Sequence, residues 1–225
     1  MSVIRESSAP FSALRRRDGD EGCMCYPSLM DFIVLSSSKG TVFKAVLERI
    51  KDGSLHAKCL GLVTDRADRG CIRIAEKFGV SVNIVERKKG EDREAYDRRL
   101  SAVIDSLTPV PNPRPFLACI GWMFLFSPWF VSEWRNRILN VHPSLLPKHP
   151  GAHAYDLVLA AGDSESGMTI HRIDEGLDTG TILVQKKCSV FPDDTKETLK
   201  ARVQALECEW YPKVLEMIER GEISL

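Results

Sequence analysis

The sequence predicts an α/β protein with a doubly wound, mostly parallel sheet, and two observations carry this prediction. Short apolar segments alternate with longer amphipathic segments through most of the chain, which is the pattern of consecutive βαβ units. The apolar segment at residues 116–121 contains no polar side chain, as is typical of a strand covered on both faces. Ligands of such sheets bind beyond the carboxyl ends of the strands, so functional residues are expected at that edge.

The elements of the first part of the chain follow from apolar periodicity and from Gly or Pro at the boundaries. The predicted strands are residues 31–35, 56–64, 80–85, 116–121 and 138–142. The predicted helices are residues 42–50, 69–78, 92–107 and 128–134, of which Gly53 and Gly79 close the first two. Residues 109–115 contain four prolines, which predicts a rigid connection.

The final part of the chain has a different pattern. Residues 154–161 are predicted to be helical, and residues 167–173 and 181–190 to be strands joined by a loop that carries Asp178. Residues 196–220 form a long amphipathic pattern, in which Pro212 is expected to kink or locally break the helix.

Composition restricts the classes of partner. The 225 residues carry 31 basic and 31 acidic side chains, so there is no basic surplus of the kind that coats nucleic acid. The longest apolar run, residues 116–126, is too short to span a membrane. We therefore predict small-molecule partners, no nucleic acid and no membrane. The sequence leaves the oligomeric state open, a homodimer included.

The cysteines and the first residues indicate where the protein works. Seven cysteines, an odd number, lie mostly in apolar runs, which favours reduced thiols in the cytoplasm. Residues 1–29 are polar and charged, without the apolar core of a secretory signal. We predict a disordered leader over residues 1–29 and one domain over residues 30–225, with translation starting at Met1 or at Met30.

A possible catalytic group lies at the end of the fifth predicted strand. Asn140 and His142 are two residues apart, so their side chains project to the same face. An amide can donate to a developing oxyanion, and an imidazole can donate or shuttle protons. Asp178, in a loop bounded by glycines, could hold or accept that proton. Taken singly, each residue also has a plain structural explanation. Asn140 could cap the strand end, His142 could be a structural histidine, and Asp178 could form a turn.

Together these residues resemble the folate-dependent formyltransferases, and within them the phosphoribosylglycinamide formyltransferases. The family pattern reads Asn-x-His-Pro-Ser-Leu-Leu-Pro, then His, then Asp-x-x-x-Asp-x-Gly. Its matches here are Asn140, residues 142–147, His171, Asp174, Asp178 and Gly180. The resemblance, which begins near residue 31, implies a Rossmann-like formyltransferase fold. It also implies transfer of a formyl group from 10-formyltetrahydrofolate to the amine of glycinamide ribonucleotide in purine synthesis, with Asn140, His142 and Asp178 as catalytic residues.

The resemblance also implies a binding site for the acceptor substrate. The turn before the first helix would hold the substrate phosphate, because amides at a helix N-terminus bind anions. Ser38, Lys39 and Val42 depart from the family pattern in this turn, and a plain turn is the alternative. The residues implied to contact the acceptor are Ser38, Lys39, Gly40, Thr41, Val42, Pro143, Gln204 and Glu207.

The implied folate site contains one departure from the family. The family has Arg after Gly-x-Met, where this chain has Phe124, so an arginine contact to the glutamate tail of the cofactor is lost. Val131, Ile138 and Ile173 fit the walls of a pocket or an ordinary core equally well. The residues implied to contact the folate are Arg93, Met123, Phe124, Leu125, Val131, Ile138, His171, Ile173 and Asp174.

Two alternatives to this function stay open. A sugar-nucleotide N-formyltransferase would explain the altered phosphate turn, although Gln204 and Glu207 argue against it. A non-catalytic nucleotide-binding domain would have no need for Asn140, His142 and Asp178 together. The acidic residues show no metal-ligand spacing, so we predict no catalytic metal. His149 and His153 have no partner pattern and are expected to be loop or surface residues.

Overall fold

A seven-stranded sheet forms the centre of the protein, in a computed structural model that describes residues 30–108 and 114–224. The strands are β1 (Met30–Leu35), β2 (Ala57–Thr64), β3 (Val82–Ile84), β4 (Phe116–Cys119), β5 (Ile138–His142), β6 (Glu165–Arg172) and β7 (Ile182–Ser189). Their order is β3-β2-β1-β4-β5-β6-β7. The pairs from β3 to β5 are parallel, whereas β6 and β7 are antiparallel. The predicted mostly parallel α/β sheet is therefore confirmed.

Six helices cover the two faces of the sheet. They are α1 (Thr41–Lys51), α2 (Gly70–Lys77), α3 (Arg93–Leu107), α4 (Pro128–Glu133), α5 (Ala154–Ala161) and α6 (Lys196–Glu219). Alternate residues of β1 enter separate cores. Phe32 and Val34 pack into the core beneath α1 and α6, and Ile33 and Leu35 pack into the core beneath α3 and α4. Burying each such side chain contributes roughly 1.5–3 kcal/mol to the free energy of unfolding. Because its alternate residues enter both cores, β1 is shared by them.

The predicted elements match the observed ones to within a few residues, with one error in α6. This helix runs through Pro212 without a break, so the predicted local break is wrong. Proline removes one helical hydrogen bond, but Tyr211, Pro212 and Leu215 are all buried against the sheet. Their packing keeps the helix continuous. The predictions for residues 1–29 and 109–113 lie outside the described residues.

A crevice is expected between β1 and β4, because the chain leaves these neighbouring strands toward opposite faces of the sheet. The loop after β1 contacts the loop after β4, where the Ser37 amide donates to the Gly121 carbonyl (3.0 Å). A Cβ atom at Gly121 would lie 2.7 Å from the Ser38 Cβ, so only glycine permits this approach. The two loops thereby form one surface at the carboxyl edge.

Gly40 should be the most sensitive position of the first loop. It has φ +84°, and an added Cβ would lie 2.8 Å from the Cys71 Cα. Gly40→Ala therefore combines left-handed strain with a backbone clash, and should cost about 1–3 kcal/mol, measured as a lower Tm. Gly53→Ala is the matched control, because Gly53 has φ +81° but open space around it. An equal decrease in Tm for both variants would contradict the role of close packing at Gly40.

Candidate active site

Four polar side chains meet at the carboxyl end of β5. Asn140 and His142 come from β5 itself, and the antiparallel register with β6 places His171 opposite Asn140. Asp178 enters from the β6–β7 loop with φ +54°. Its carboxylate lies 3.3 Å from His142 Nδ1 and 3.6 Å from His171 Nε2. The sequence-predicted trio is thus brought together, with His171 between Asn140 and Asp178.

The surroundings of His142 fix its tautomer. Its Nε2 lies 2.9 Å from the carbonyl oxygen of His149, and a carbonyl can only accept a hydrogen bond. Nε2 therefore carries a proton. In the neutral ring the lone pair is on Nδ1, the nitrogen that faces Asp178. Nδ1 is consequently the atom of His142 that can gain or release a proton.

The same reasoning orients His171 and Asn140. His171 Nδ1 donates to the Arg172 carbonyl (3.1 Å), which leaves Nε2 as the acceptor in the neutral ring. Asn140 Nδ2 donates to that Nε2 (3.1 Å). One amide hydrogen of Asn140 is used in this way, so its second hydrogen and its oxygen are available to a ligand.

Burial and the neighbouring charges set the protonation states. Burial lowers the pKa of His142 more than the charge of Asp178 raises it. Burial alone would raise the pKa of Asp178, but the neighbouring His171 ring, the hydrogen bond from the Gly151 amide and the nearby His142 hold it below its usual range. Near neutral pH the site therefore contains a carboxylate beside a neutral imidazole, a pair that can accept a proton and share it.

The loop after β5 is held by hydrogen bonds to β6 and β7. Thr169 Oγ1 donates to the Ser144 carbonyl (2.6 Å), and Gln185 Nε2 donates to the Leu146 carbonyl (2.7 Å). At its far end the Gly151 amide donates to Asp178 Oδ2 (2.8 Å). Sequence reasoning did not identify the Gly151 amide or the His149 carbonyl, because main-chain groups leave no side-chain signature.

The predicted phosphate turn precedes α1. Ser38 Oγ accepts from the Gly40 amide (3.1 Å), and the Gly40 carbonyl accepts from the Lys44 amide (2.8 Å) as the first helical bond. The amides of residues 41–43 therefore have no acceptor within the helix. The Val42 side chain is only 4% exposed and belongs to the core, so Val42 can offer a ligand its amide alone. Lys39 is exposed beside these amides.

Glu207 lies about level with this turn. Arg49 pairs with Glu216 (3.2 Å), while the charges of Lys44 and Glu48, earlier on α1, act on Cys208, earlier on α6. The two helices therefore run side by side in the same direction. Glu207 is nine residues before Glu216, as Gly40 is nine residues before Arg49, and both helices rise by the same amount per residue. Gln204 is one turn earlier on α6 and half-buried. Burial raises the pKa of Glu207 to about 7.

The predicted folate residues fall into two groups. Met123 and Leu125 are 62% and 53% exposed in the loop after β4, while Phe124 packs against Tyr96 and Trp122 with ring centroids 5.6 and 5.4 Å apart. Arg93 is exposed at the start of α3 and lines a cavity of about 500 Å³.

The other predicted folate residues are more enclosed. Val131 and Ile138 lie in the core beneath α3 and α4, and Ile173 is partly buried against it. Asp174 accepts from the Gly176 amide (3.0 Å) and from Thr179 Oγ1 (2.7 Å) within the β6–β7 loop. The contacts of these residues with folate stay predictions, as does the contact of Pro143 with the acceptor.

Comparison with known proteins identifies the family. The family described as "Formyl transferase" matches residues 30–215. The chain belongs to the formyl transferase family. This formyl transferase is 33% identical to the phosphoribosylglycinamide formyltransferase of Escherichia coli (strain K12) over 196 residues, which is 87% of this chain and 90% of that protein.

Larger and structural relatives agree with this assignment. The formyl transferase is 35% identical to the trifunctional purine biosynthetic protein adenosine-3 of Drosophila pseudoobscura pseudoobscura over 84% of this chain, but it spans only 14% of that protein. The crystal structure of glycinamide ribonucleotide transformylase 1 from Symbiobacterium toebii superposes with a TM-score of 0.81 at 29% identity, covering 88% of this chain and 91% of that one. The Rossmann-like formyltransferase fold is thereby confirmed.

In residues 30–108 and 114–224, none of the helices has the length and apolar character of a membrane span. The same ranges contain no group of three or more His, Cys, Asp or Glu residues arranged to hold a metal ion.

The raised pKa of Glu207 predicts a pH-dependent gain in stability for Glu207→Gln. Between pH 4.5 and 7 the unfolded chain loses the proton that the folded protein retains, so wild-type stability falls as pH rises through this range. At pH 8 the variant should be more stable by up to about 3 kcal/mol, at about 1.4 kcal/mol per pKa unit. Below pH 4.5 the two proteins should have the same Tm.

Glu209→Gln is the control, because Glu209 is an exposed residue on the same helix, paired with Lys213. Thermal unfolding from pH 4 to pH 9 measures both variants. An unchanged Tm for Glu207→Gln at pH 8 would show that the buried carboxyl group carries no ionisation penalty.

Proposed function

We propose that this formyl transferase transfers the formyl group of 10-formyltetrahydrofolate to the amine of glycinamide ribonucleotide. The observation that supports this most directly is the cluster of Asn140, His142 and Asp178, in which His142 turns Nδ1 toward an ionised carboxylate. It lies at the carboxyl edge of the sheet, in a family whose members act on formyl groups. The similar proteins named for phosphoribosylglycinamide formylation support the acceptor.

The proposed reaction is a direct transfer without a covalent enzyme intermediate. The acceptor amine forms a bond to the formyl carbon, and the carbonyl oxygen becomes an oxyanion. When this intermediate collapses, the bond between the formyl carbon and N10 of the folate breaks. One proton leaves the attacking nitrogen and one reaches the leaving nitrogen, which gives the N-formyl product and tetrahydrofolate.

The side chains have separate parts in this scheme. Among residues 30–108 and 114–224 one amide hydrogen of Asn140 has no acceptor, so it can donate to the oxyanion. Neutral His142 accepts a proton at Nδ1, and the resulting Nδ1–H can donate to the oxyanion or release the proton to the leaving nitrogen. Asp178 stabilises the imidazolium while it exists, because the two groups are 3.3 Å apart.

Substrates are proposed to bind on either side of this cluster. The acceptor phosphate binds the free amides at the start of α1 together with Ser38, Lys39, Gly40 and Thr41. Gln204 and Glu207, level with this turn, contact its ribose, and Pro143 lies on the path to the amine. The folate binds along Met123 and Leu125, where exposed apolar surface is available. With Phe124 in place of arginine, Arg93 is the cation proposed to meet the glutamate tail.

The partners, the location and the domain organisation are also proposals. We propose small-molecule partners alone, a cytoplasmic location and a single domain over residues 30–225. Cys59, Cys71, Cys119, Cys188 and Cys208 form no disulfides in the described chain. Burial raises the pKa of Cys59 to about 12, so this thiol stays protonated and unreactive.

An acceptor panel tests the function. The purified protein, given 10-formyltetrahydrofolate, should formylate glycinamide ribonucleotide and leave a nucleotide-linked amino sugar unchanged, as measured by mass spectrometry of the products. Glu207→Ala should raise the KM for the acceptor more than the KM for the folate. Formylation of the amino sugar alone would replace the acceptor with the sugar-nucleotide alternative. Transfer to neither amine, with the folate bound and intact, would support the non-catalytic alternative.

Substitution of the catalytic residues tests the chemistry. His142→Ala and Asp178→Ala should each lower kcat by roughly a hundred- to a thousandfold, the usual effect of losing an oxyanion donor or its partner. His153→Ala is the control, because the His153 side chain is 79% exposed and pairs with Asp156 rather than with a residue of the catalytic cluster. Near-normal turnover by either folded variant would remove it from the mechanism. Circular dichroism establishes that the variants are folded.

A further inference from the structure

We propose that His149 and Asp163, a hydrogen-bonded pair outside the catalytic cluster, are positioning residues that set the tautomer of His142. The inference rests on the proposed function, since it explains how that site is prepared for proton transfer. It concerns a histidine to which sequence patterns assigned no role. The juxtaposition that carries it is one short segment, residues 149–151, that contacts both His142 and Asp178.

Both contacts of this segment are made by its main chain. The His149 carbonyl accepts from His142 Nε2 (2.9 Å), and the Gly151 amide donates to Asp178 Oδ2 (2.8 Å). His149 has φ +54° and Gly151 has φ +85°. Glycine adopts this left-handed region freely, but histidine is strained there. The His149 carbonyl also accepts from Ser144 Oγ at 3.3 Å, but the strained residue 149 needs a further contact to stay in this conformation.

The His149 side chain provides such an anchor. Its Nε2 lies 2.6 Å from Asp163 Oδ2, and the two side chains are only 17% and 20% exposed. The hydrogen bond from His149 is the largest influence that lowers the pKa of Asp163, with a smaller one from Lys148. Lys148 Nζ is 3.3 Å from the same carboxylate but is itself exposed, so it is the weaker partner.

The main chain of Asp163 is held at the end of α5. It follows Gly162, the residue that ends α5 in a left-handed conformation, and its amide donates to the Val158 carbonyl (3.4 Å). The carboxylate is thus fixed to the end of a helix rather than to a free loop. Through His149, the end of α5 is connected to the imidazole of His142.

Loss of the anchor should change the state of His142 rather than the fold. The rest of the loop retains the bonds from Thr169 and Gln185. Residue 149, however, can then relax toward negative φ, which turns its carbonyl away from His142. Nε2 would no longer have a fixed acceptor, so the proton could lie on either ring nitrogen. A ring with its proton on Nδ1 cannot accept a proton there, and transfer would slow.

The test compares four single variants in the full chain. His149→Phe and Asp163→Ala remove the hydrogen bond between the two side chains, while His149→Gln keeps a donor that can reach Asp163. His153→Phe is the matched control, because His153 also pairs with an aspartate, Asp156 (3.7 Å), but is exposed, and neither residue of that pair belongs to residues 149–151. Because the pair is broken separately at residues 149 and 163, the proposal can still be tested if one of these two variants fails to fold.

Steady-state kinetics provide the first readout. The kcat of His149→Phe and of Asp163→Ala should fall by roughly ten- to a hundredfold, the effect of a small misplacement of a reacting group. The KM of each substrate should change little, because neither residue is proposed to bind them. His149→Gln should recover most of the lost kcat, and His153→Phe should equal the wild type. A kcat within about twofold of wild type in both pair-breaking variants overturns the proposal.

Nitrogen-15 NMR of the labelled histidines provides the second readout, independent of activity. The wild type should show His142 protonated on Nε2 in its neutral form, and the pair-breaking variants should show a mixture of tautomers. A lower kcat with an unchanged tautomer would mean that the pair acts only through general stability, and overturns the proposal. If the wild type formylates no acceptor, the proposed function fails, while the tautomer measurement still decides the role of His149 and Asp163.

Discussion

The antiparallel register between β5 and β6 places Asn140 opposite His171 and His142 opposite Thr169. Every contact at the site builds on this pairing. His171 can meet Asn140 only because the two residues face each other, and Thr169 can hold the loop after β5 only because it lies beside His142. A shift of one residue would turn all these side chains to the other face of the sheet. The two buried cores, which share β1, hold the strands in this register.

Burial also controls the charges. Burial keeps His142 neutral despite the nearby carboxylate, whereas Asp178 stays ionised although burial alone would raise its pKa. Each polar group has a hydrogen-bond partner. The His149 carbonyl accepts from His142, the Gly151 amide donates to Asp178, and the Asn140 side-chain amide donates to His171. Such networks are stable when every member has a partner. Glu207 is buried without a comparable partner in the part of the chain that the structure describes, and its carboxyl group therefore retains its proton to about pH 7.

Sequence patterns were sufficient for most of the fold and for the centre of the site. Alternating apolar segments gave the strands and helices, and the spacing of Asn140 and His142 gave their common face. Other features depend on tertiary contacts that no local pattern contains. The burial of Pro212 kept α6 continuous, and packing against the core turned the Val42 side chain away from the phosphate turn. The contribution of His149 comes from its carbonyl and its left-handed backbone, neither of which is encoded by residue type.

The parallel packing of α1 and α6 has a consequence for synthesis of the chain. Arg49 and His56 come early in the sequence, but their partners Glu216 and Glu219 lie on the last helix. Proteins emerge from the ribosome N-terminus first, so β1 and α1 are made long before the helix that covers them. Phe43 and Val46 of α1 remain without that cover until α6 docks. A nascent chain that already contains His142 and Asp178 thus still exposes the apolar surface that α6 covers in the folded protein.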